Sequence, residues 1–155
     1  MDATRTAAIA ERQPRTVEML RSFGILPILT VASVEQALAQ AEALLRGGLR
    51  GLEVTLRTPP ALDAITALKR SLPELKVGAG TVLAPEQLRA AEHAGADFIV
   101  TPGTTESLRE ALAVSVLPSV PGAATPSELM TLAGYGFRVA KLFPASAVGG
   151  LAMLK

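Results

Sequence analysis

The stretch Gly95-Ala96-Asp97-Phe98-Ile99-Val100 contains the end of one helix and the start of one buried strand. A glycine after a helical segment is typical of a helix carboxyl end, and a short apolar run bounded by such a signal is typical of a strand. The same succession occurs again at Gly134-Tyr135-Gly136-Phe137-Arg138-Val139. The sequence therefore predicts helices and strands in alternation.

Six candidate strands follow one another at intervals of about 19 to 25 residues, beginning near Pro27, Leu52, Val77, Phe98, Leu117 and Arg138. Each interval accommodates one strand and one helix, which is the pattern of a parallel sheet built from right-handed crossovers. Six such units predict one α/β domain over residues 1–155. The domain is either an open doubly wound sheet or a (β/α)8 barrel without its last two units, since a closed barrel needs eight strands and about 200 residues.

The composition excludes several classes of function. Apolar residues make up 49% of the chain, and the formal net charge is +1. Charges of both signs are dispersed and only 3% of the residues are aromatic, so neither nucleic acid nor an anionic membrane is a predicted partner. The absence of cysteine excludes disulfides and thiolate chemistry, and with His93 as the one histidine we expect no protein-built metal site.

The amino-terminal residues carry weaker signals. Residues 1–14 are predicted to form a flexible tail, and residues 16–22 a short helix that leads into the first strand. We find neither a signal-peptide pattern nor the roughly 20 apolar residues that a membrane span requires. A cytoplasmic location is therefore expected by default.

Lys141 is the most unusual residue of the predicted strands, because it interrupts the apolar run Arg138-Val139-Ala140-Lys141-Leu142-Phe143-Pro144-Ala145. An unpaired ammonium group has no structural use in a buried strand. Burial favours the neutral amine, which is a nucleophile for a carbonyl substrate. The alternative is a lysine whose ammonium group reaches solvent at the strand end.

A second strand, Gly51-Leu52-Glu53-Val54-Thr55-Leu56-Arg57-Thr58, also carries charge in its interior. Its apolar residues lie on one face, whereas Glu53, Thr55 and Arg57 share the other. Parallel sheets are covered by protein on both faces, so these polar side chains are predicted to point inward. The Cα atoms of Glu53 and Arg57 would be roughly 13 Å apart along a strand. A direct ion pair would require the arginine to fold back, and a carboxylate and a guanidinium held apart around a space would suit substrate binding at least as well.

Four motifs in this order resemble the 2-keto-3-deoxy-6-phosphogluconate (KDPG) aldolases, many of which also act on 4-hydroxy-2-oxoglutarate. The resemblance extends from about Gly24 to the end of the chain. The motifs are Leu52-Glu53-Val54-Thr55-Leu56-Arg57-Thr58, Val77-Gly78-Ala79-Gly80-Thr81-Val82-Leu83, Phe98-Ile99-Val100-Thr101-Pro102-Gly103 and Lys141-Leu142-Phe143-Pro144-Ala145.

The resemblance implies a fold, a reaction and a set of site residues. The fold would be a (β/α)8 barrel of the class I aldolase type, and the complete protein would be a homotrimer. The enzyme would belong to the Entner–Doudoroff pathway and would cleave KDPG to pyruvate and glyceraldehyde 3-phosphate without a metal or other cofactor. The resemblance assigns the Schiff base to Lys141, proton transfer to Glu53, the pyruvyl carboxylate to Arg57 and Thr81, and the pocket walls to Pro102 and Phe143.

The chain departs from this family at its carboxyl end, since family members continue through two more strands whose turns bind the substrate phosphate. We therefore expect an incomplete barrel of six β/α units. Two alternatives to the aldolase hypothesis remain at this point. One is a non-catalytic half-barrel that acts only through self-association, and the other is a different phosphate-binding barrel enzyme in which Lys141 is a simple cation.

Overall fold

The computed structural model describes residues 3–154, apart from the side chains of Ala3, Arg5 and Leu154. Helices and strands alternate along it, as the sequence predicts. The elements are α1 (Ala3–Phe23), β1 (Ile28–Leu29), α2 (Val34–Arg46), β2 (Gly51–Thr55), α3 (Ala61–Ser71), β3 (Lys76–Gly80), α4 (Pro85–His93), β4 (Phe98–Val100), α5 (Glu106–Val114), β5 (Ser119–Val120), β6 (Gly122–Ala123), α6 (Pro126–Gly134), β7 (Lys141–Leu142) and two short 3₁₀ helices (Ala145–Val148 and Gly150–Leu154).

The strands form a parallel sheet in the order β1-β2-β3-β4-β5, and β6 pairs with β7 in a second parallel sheet. Spatial order follows sequence order, whereas a doubly wound sheet reverses direction at a switch point. The sheet is therefore wound in one direction, as in a barrel, and the prediction of six β/α units of an incomplete barrel is confirmed. In this arrangement Glu53 of β2 lies opposite Ile28 of β1 and Gly78 of β3.

The predicted fifth strand is divided into β5 and β6, which the sequence did not indicate. Pro121 separates the two pieces and has no amide proton to donate to a sheet. The chain beyond it is held by Thr101, whose Oγ1 accepts a hydrogen bond from the amide of Gly122 at 3.0 Å. β6 then pairs with β7, and this pairing places Gly122 opposite Lys141.

Apolar faces of the helices cover the sheet from outside, and their buried side chains merge with those of the strands into one core, with Ile65, Leu68, Val77 and Ile99 all fully buried. A smaller cluster lies at the amino-terminal end of the sheet. There the Phe23 ring of α1 packs on Phe98, with 5.7 Å between the ring centroids. α1 thus closes that end and leaves the opposite end of the strands accessible.

The prediction of a flexible tail over residues 1–14 needs correction, because α1 begins at Ala3 and docks on the rest of the chain. Ile9 is fully buried, Arg12 donates hydrogen bonds to two carbonyl groups at the end of α5, and Gln13 accepts one from the amide of Arg138 at 2.8 Å. Over residues 3–14 the contact stripe has one large apolar residue and is otherwise polar, so its periodicity is invisible to a hydrophobic pattern. The predicted helix over residues 16–22 is the second part of α1, and Met1 and Asp2 lie outside the described residues.

Among residues 3–154, no helix combines the length and apolar character that crossing a bilayer requires.

Candidate active site

All six site residues that the sequence analysis names line a single cavity of about 130 Å³. They come from four strands, β2, β3, β4 and β7, or from the segments that directly follow them. The lining consists of Glu53, Arg57, Thr81, Pro102, Lys141 and Phe143, together with Ile28, Thr30 and Thr55. Larger hollows of about 550 and 490 Å³ lie at the amino-terminal end of the sheet and between α4 and α5. Neither of them contains Lys141 or Glu53, so we place the candidate site in the smaller cavity.

The central feature of this cavity is a lysine facing a buried carboxyl group. Lys141 Nζ lies 3.4 Å from Glu53 Oε1, and the Glu53 side chain is only 2% exposed. Gly80 provides the space for this carboxyl, because a Cβ atom at position 80 would collide with Glu53 Oε1. The glycine of the third strand is therefore required by a side chain of the second.

The Lys141 side chain is more exposed than its apolar neighbours in the sequence predict. Its side chain is 22% exposed, and Leu142 beside it is also only partly buried. β7 has a strand partner on one side only within residues 3–154, and that partner is β6. A lysine in this position contacts both the carboxyl group and solvent.

Burial raises the pKa of Glu53 above its ordinary value, because a carboxylate in a poorly solvated position loses its hydration. The positive charge of Lys141 and its hydrogen bond act in the opposite direction, and Arg57 adds a smaller lowering effect. The net shift is upward. A carboxyl group with a raised pKa can both accept and return a proton near neutral pH.

Arg57 and Thr81 lie in turns at the mouth of the cavity. β2 ends at Thr55, so Arg57 is an exposed turn residue, and the ion pair of Glu53 is with Lys141 instead of Arg57. Thr81 follows β3 with a φ of 57°, a left-handed conformation that is costly for a β-branched residue. Strain of this kind is common where a backbone must direct a side chain into a functional site.

The apolar side of the cavity is formed by Phe143 and Pro102. Lys141 Nζ lies 5.4 Å from the centroid of the Phe143 ring, and both residues belong to the same short segment around β7. Pro102 is fixed by close packing, since a Cβ atom at position 122 would collide with its carbonyl group. The two residues leave a restricted apolar space beside the amine.

Sequence reasoning did not assign a role to Ile28, Thr30 or Thr55, which complete the lining. The signal for Thr55 was its position on the inward face of β2. The sequence held no such signal for Thr30, because Thr30 directly follows a strand of only two residues and its hydrogen-bond partner, Thr55, lies on a different strand. Within the part of the chain that the structure describes, no group of three or more potential metal ligands is found.

Comparison with known proteins agrees with this geometry. The family model described as KDPG and KHG aldolase matches residues 16–155. The KHG/KDPG aldolase of Escherichia coli K12 is 47% identical over 137 residues, which represent 88% of this chain and 64% of that protein. The chain therefore spans about two thirds of the length of such relatives.

Solved structures of aldolases have the same fold. The KDPG aldolase of Zymomonas mobilis ZM4 with 3-phosphoglycerate is 38% identical with a TM-score of 0.87, and the match covers 92% of this chain and 68% of that one. The KDPG aldolase of Legionella pneumophila, which holds pyruvate captured at low pH as a covalent carbinolamine intermediate, is 41% identical with a TM-score of 0.82 and coverages of 97% and 68%. Together, the family match, the identity to the Escherichia coli protein and these two superpositions show that the chain belongs to the KDPG and KHG aldolase family.

Proposed function

We propose that this chain carries the active site of a class I aldolase that cleaves KDPG to pyruvate and glyceraldehyde 3-phosphate. The observation that supports this most directly is the position of Lys141 Nζ, 3.4 Å from the buried Glu53 carboxyl in one cavity. A lysine amine that forms covalent intermediates with carbonyl substrates needs a neighbouring group that removes and returns protons. Glu53, with its raised pKa, supplies such a group.

The reaction starts when the neutral amine of Lys141 attacks the C2 carbonyl of KDPG. Loss of water from the carbinolamine gives an iminium ion, which is an electron sink. Glu53 then accepts the proton of the C4 hydroxyl, the C3–C4 bond breaks, and its electron pair moves toward the iminium nitrogen to form an enamine. The aldehyde leaves, C3 of the enamine is protonated, and water hydrolyses the new iminium ion to release pyruvate and the free amine.

The remaining lining residues hold the pyruvyl part of the substrate. Arg57 offers a planar fork of donors to the carboxylate, and the Thr81 hydroxyl adds one more donor. Phe143 and Pro102 limit the space around the methylene carbon and reduce its contact with water. We include 4-hydroxy-2-oxoglutarate as a second substrate, because the first three carbons are the same in the two keto acids.

One relative supports covalent chemistry with a keto acid. The Legionella pneumophila protein holds pyruvate as a carbinolamine, which is the intermediate that precedes an iminium ion. That intermediate requires an amine nucleophile. Among the described residues, Lys141 is the one lysine that lines the candidate cavity.

Trapping of the pyruvate adduct tests this proposal. The purified chain is incubated with pyruvate and reduced with borohydride, and the labelled residue is identified by peptide mass spectrometry. We expect the mass of reduced pyruvate at Lys141 and none at Lys69 or Lys76, which are engaged with Asp97 elsewhere. Labelling confined to other lysines, or no labelling, would contradict the proposal.

We also propose that residues 1–155 form one domain, that the complete protein is a homotrimer, and that it works in the cytoplasm, where a phosphorylated keto acid would be retained. The exposed apolar side chains of Val114 and Val116 at the end of α5 support a self-association surface. Sedimentation equilibrium of the complete protein tests the trimer. A monomer at all concentrations would contradict it.

A further inference from the structure

One wall of the candidate cavity consists of two threonine hydroxyls to which the proposed mechanism assigns no role. Thr30 directly follows β1, and Thr55 is the last residue of β2. Their Oγ1 atoms lie 2.8 Å apart, and both residues line the cavity with Glu53 and Lys141. Thr55 is only 2% exposed, whereas Thr30 is exposed and therefore accessible to a ligand.

The direction of the hydrogen bonds in this pair follows from a count of protons. Thr55 Oγ1 donates to the carbonyl oxygen of Leu29 at 3.1 Å. The contact between the two hydroxyls allows either of them to donate. With the single proton of Thr55 directed at Leu29, Thr55 accepts the second bond and Thr30 donates it. The proton of Thr30 is then directed at Thr55, and its oxygen retains the capacity to accept a further bond. The pair presents an acceptor, and no free donor, to the cavity.

An acceptor at this position discriminates between ligand groups. A hydroxyl that can donate a proton is favoured there, whereas a carboxylate would bring two acceptors together and leave its own hydration unreplaced. Arg57 and Lys141 are donors, and Glu53 is already assigned to the C4 hydroxyl. The acceptor of Thr30 is thus available for the group on the far side of the cleaved bond.

The two keto acids named above differ in this group. C5 carries a hydroxyl in KDPG and is a carboxylate carbon in 4-hydroxy-2-oxoglutarate. We infer that Thr30 is a specificity-determining residue whose Oγ1 accepts a hydrogen bond from the C5 hydroxyl, so that the site prefers substrates that release a 2-hydroxyaldehyde over those that release glyoxylate. This inference rests on the proposed function and adds a substrate preference to it.

The test compares two substrates that both lack phosphate. Pyruvate release by the full chain is measured, through coupling to lactate dehydrogenase, from 2-keto-3-deoxygluconate and from 4-hydroxy-2-oxoglutarate. Thr30→Val removes the hydroxyl and keeps the shape, and we expect the ratio of the two kcat/KM values to fall about three- to tenfold, the range of one hydrogen bond. Thr30→Ser keeps an acceptor and should retain the ratio of the parent chain.

Thr58→Val is the matched control. Thr58 Oγ1 donates to the carbonyl oxygen of Val31 at 2.7 Å, so it also ties the end of β1 to the segment after β2, but it does not line the cavity. Its loss should leave the substrate ratio unchanged. If Thr30 had a purely structural role, Thr30→Val would instead lower kcat/KM equally for both substrates, as expected when a contact between these segments is weakened.

An unchanged ratio in both Thr30→Val and Thr30→Ala overturns the inference, and so does a parent chain that releases no pyruvate from 2-keto-3-deoxygluconate. The borohydride adduct at Lys141 then decides separately on the proposed function. If the adduct forms, only the role of Thr30 is lost. If it does not form, the aldolase proposal is lost as well.

Discussion

Among the described residues, two acids are paired with lysines, and they differ in how completely they are bonded. Asp97, which precedes β4, lies 2.6 Å from Lys69 Nζ and 3.3 Å from Lys76 Nζ, and it accepts a further bond from the amide of Val77 at 2.8 Å. Glu53 has a single lysine partner at 3.4 Å. Asp97 is nevertheless the more exposed of the two acids, at 17% against 2%.

This difference separates a structural ion pair from one that is suited to chemistry. Asp97 has enough donors to compensate the loss of water, and Lys69 also donates to the carbonyl oxygen of Leu75. Asp97 and its two lysine partners connect α3, β3 and β4 at the amino-terminal end of the sheet. Glu53 is buried with too few donors, which disfavours its charged form and raises its pKa. A carboxyl group that is incompletely compensated remains available for proton transfer.

The largest expected effect distinguishes the two lysines. Lys141→Arg keeps the positive charge but removes the amine that we propose forms the iminium ion, so the pyruvate adduct should fall to background and turnover should fall by at least about a thousandfold. Lys69→Arg is the matched control and should retain the adduct, because a guanidinium still pairs with Asp97. Both variants are measured by borohydride trapping and by pyruvate release. Adduct formation by Lys141→Arg would show that the reactive amine lies elsewhere.

When stability is measured, the order of the two sites should reverse: removing the charge of Asp97 should matter more than removing that of Glu53. Asp97→Asn leaves two ammonium groups without a counter-charge, and we expect a loss of about 2 kcal/mol in the free energy of unfolding, less than for a fully buried pair because both lysines are partly exposed. Glu53→Gln removes a poorly compensated carboxylate, and its effect at neutral pH should stay within about 1 kcal/mol. Urea unfolding at pH 7 measures both. Equal losses would contradict the distinction between the pairs.

Two glycines of β3 test whether the position of the Glu53 carboxyl matters. A Cβ atom at position 80 would collide with this carboxyl, and one at position 78 would collide with the ring of Phe98. Each alanine substitution should cost about 1–3 kcal/mol through overpacking. Only Gly80→Ala should also reduce turnover, by about tenfold or more, because it displaces Glu53, the proposed proton-transfer group. Gly78→Ala should match it in urea unfolding and retain the turnover of the parent chain.

The sequence predicted the parallel fold from the alternation of strands and helices, and the inward-facing polar groups for a second physical reason. Strands that are covered on both faces are expected to be apolar, so Glu53 and Lys141 are conspicuous within them. Their distance could not be predicted, since it depends on how far the sheet curves between β2 and β7. The role of Gly80 was equally hidden, because it depends on a side chain of the neighbouring strand.

Two other features were hidden because polar contacts hold them in place. α1 is docked through Arg12 and Gln13, whose hydrogen bonds with the region of α5 and with Arg138 have no periodic signature in the sequence. The interaction of Thr30 with Thr55 joins residues 25 positions apart. Such contacts are set by register, which follows from the fold and is not encoded in any short motif.

The smallest expected effect is a pH dependence of opposite sign for two glutamates. The pKa of Glu53 is raised by burial, so the folded chain binds a proton more tightly there than the unfolded chain does, and stability falls as pH rises from about 4 through the raised pKa. The stability of Glu53→Gln relative to the parent chain should therefore increase with pH over that interval and become constant above it.

Hydrogen bonds from the amide of Ala124, the Thr125 hydroxyl and the amide of Thr125 lower the pKa of Glu128. Its contribution is present above the unfolded pKa and is lost as pH falls through the lowered one, so Glu128→Gln should become less stable relative to the parent as pH rises. Urea unfolding of the three chains from pH 3 to pH 8 measures both slopes, and slopes of the same sign would show that Glu53 is compensated as well as an exposed capping residue.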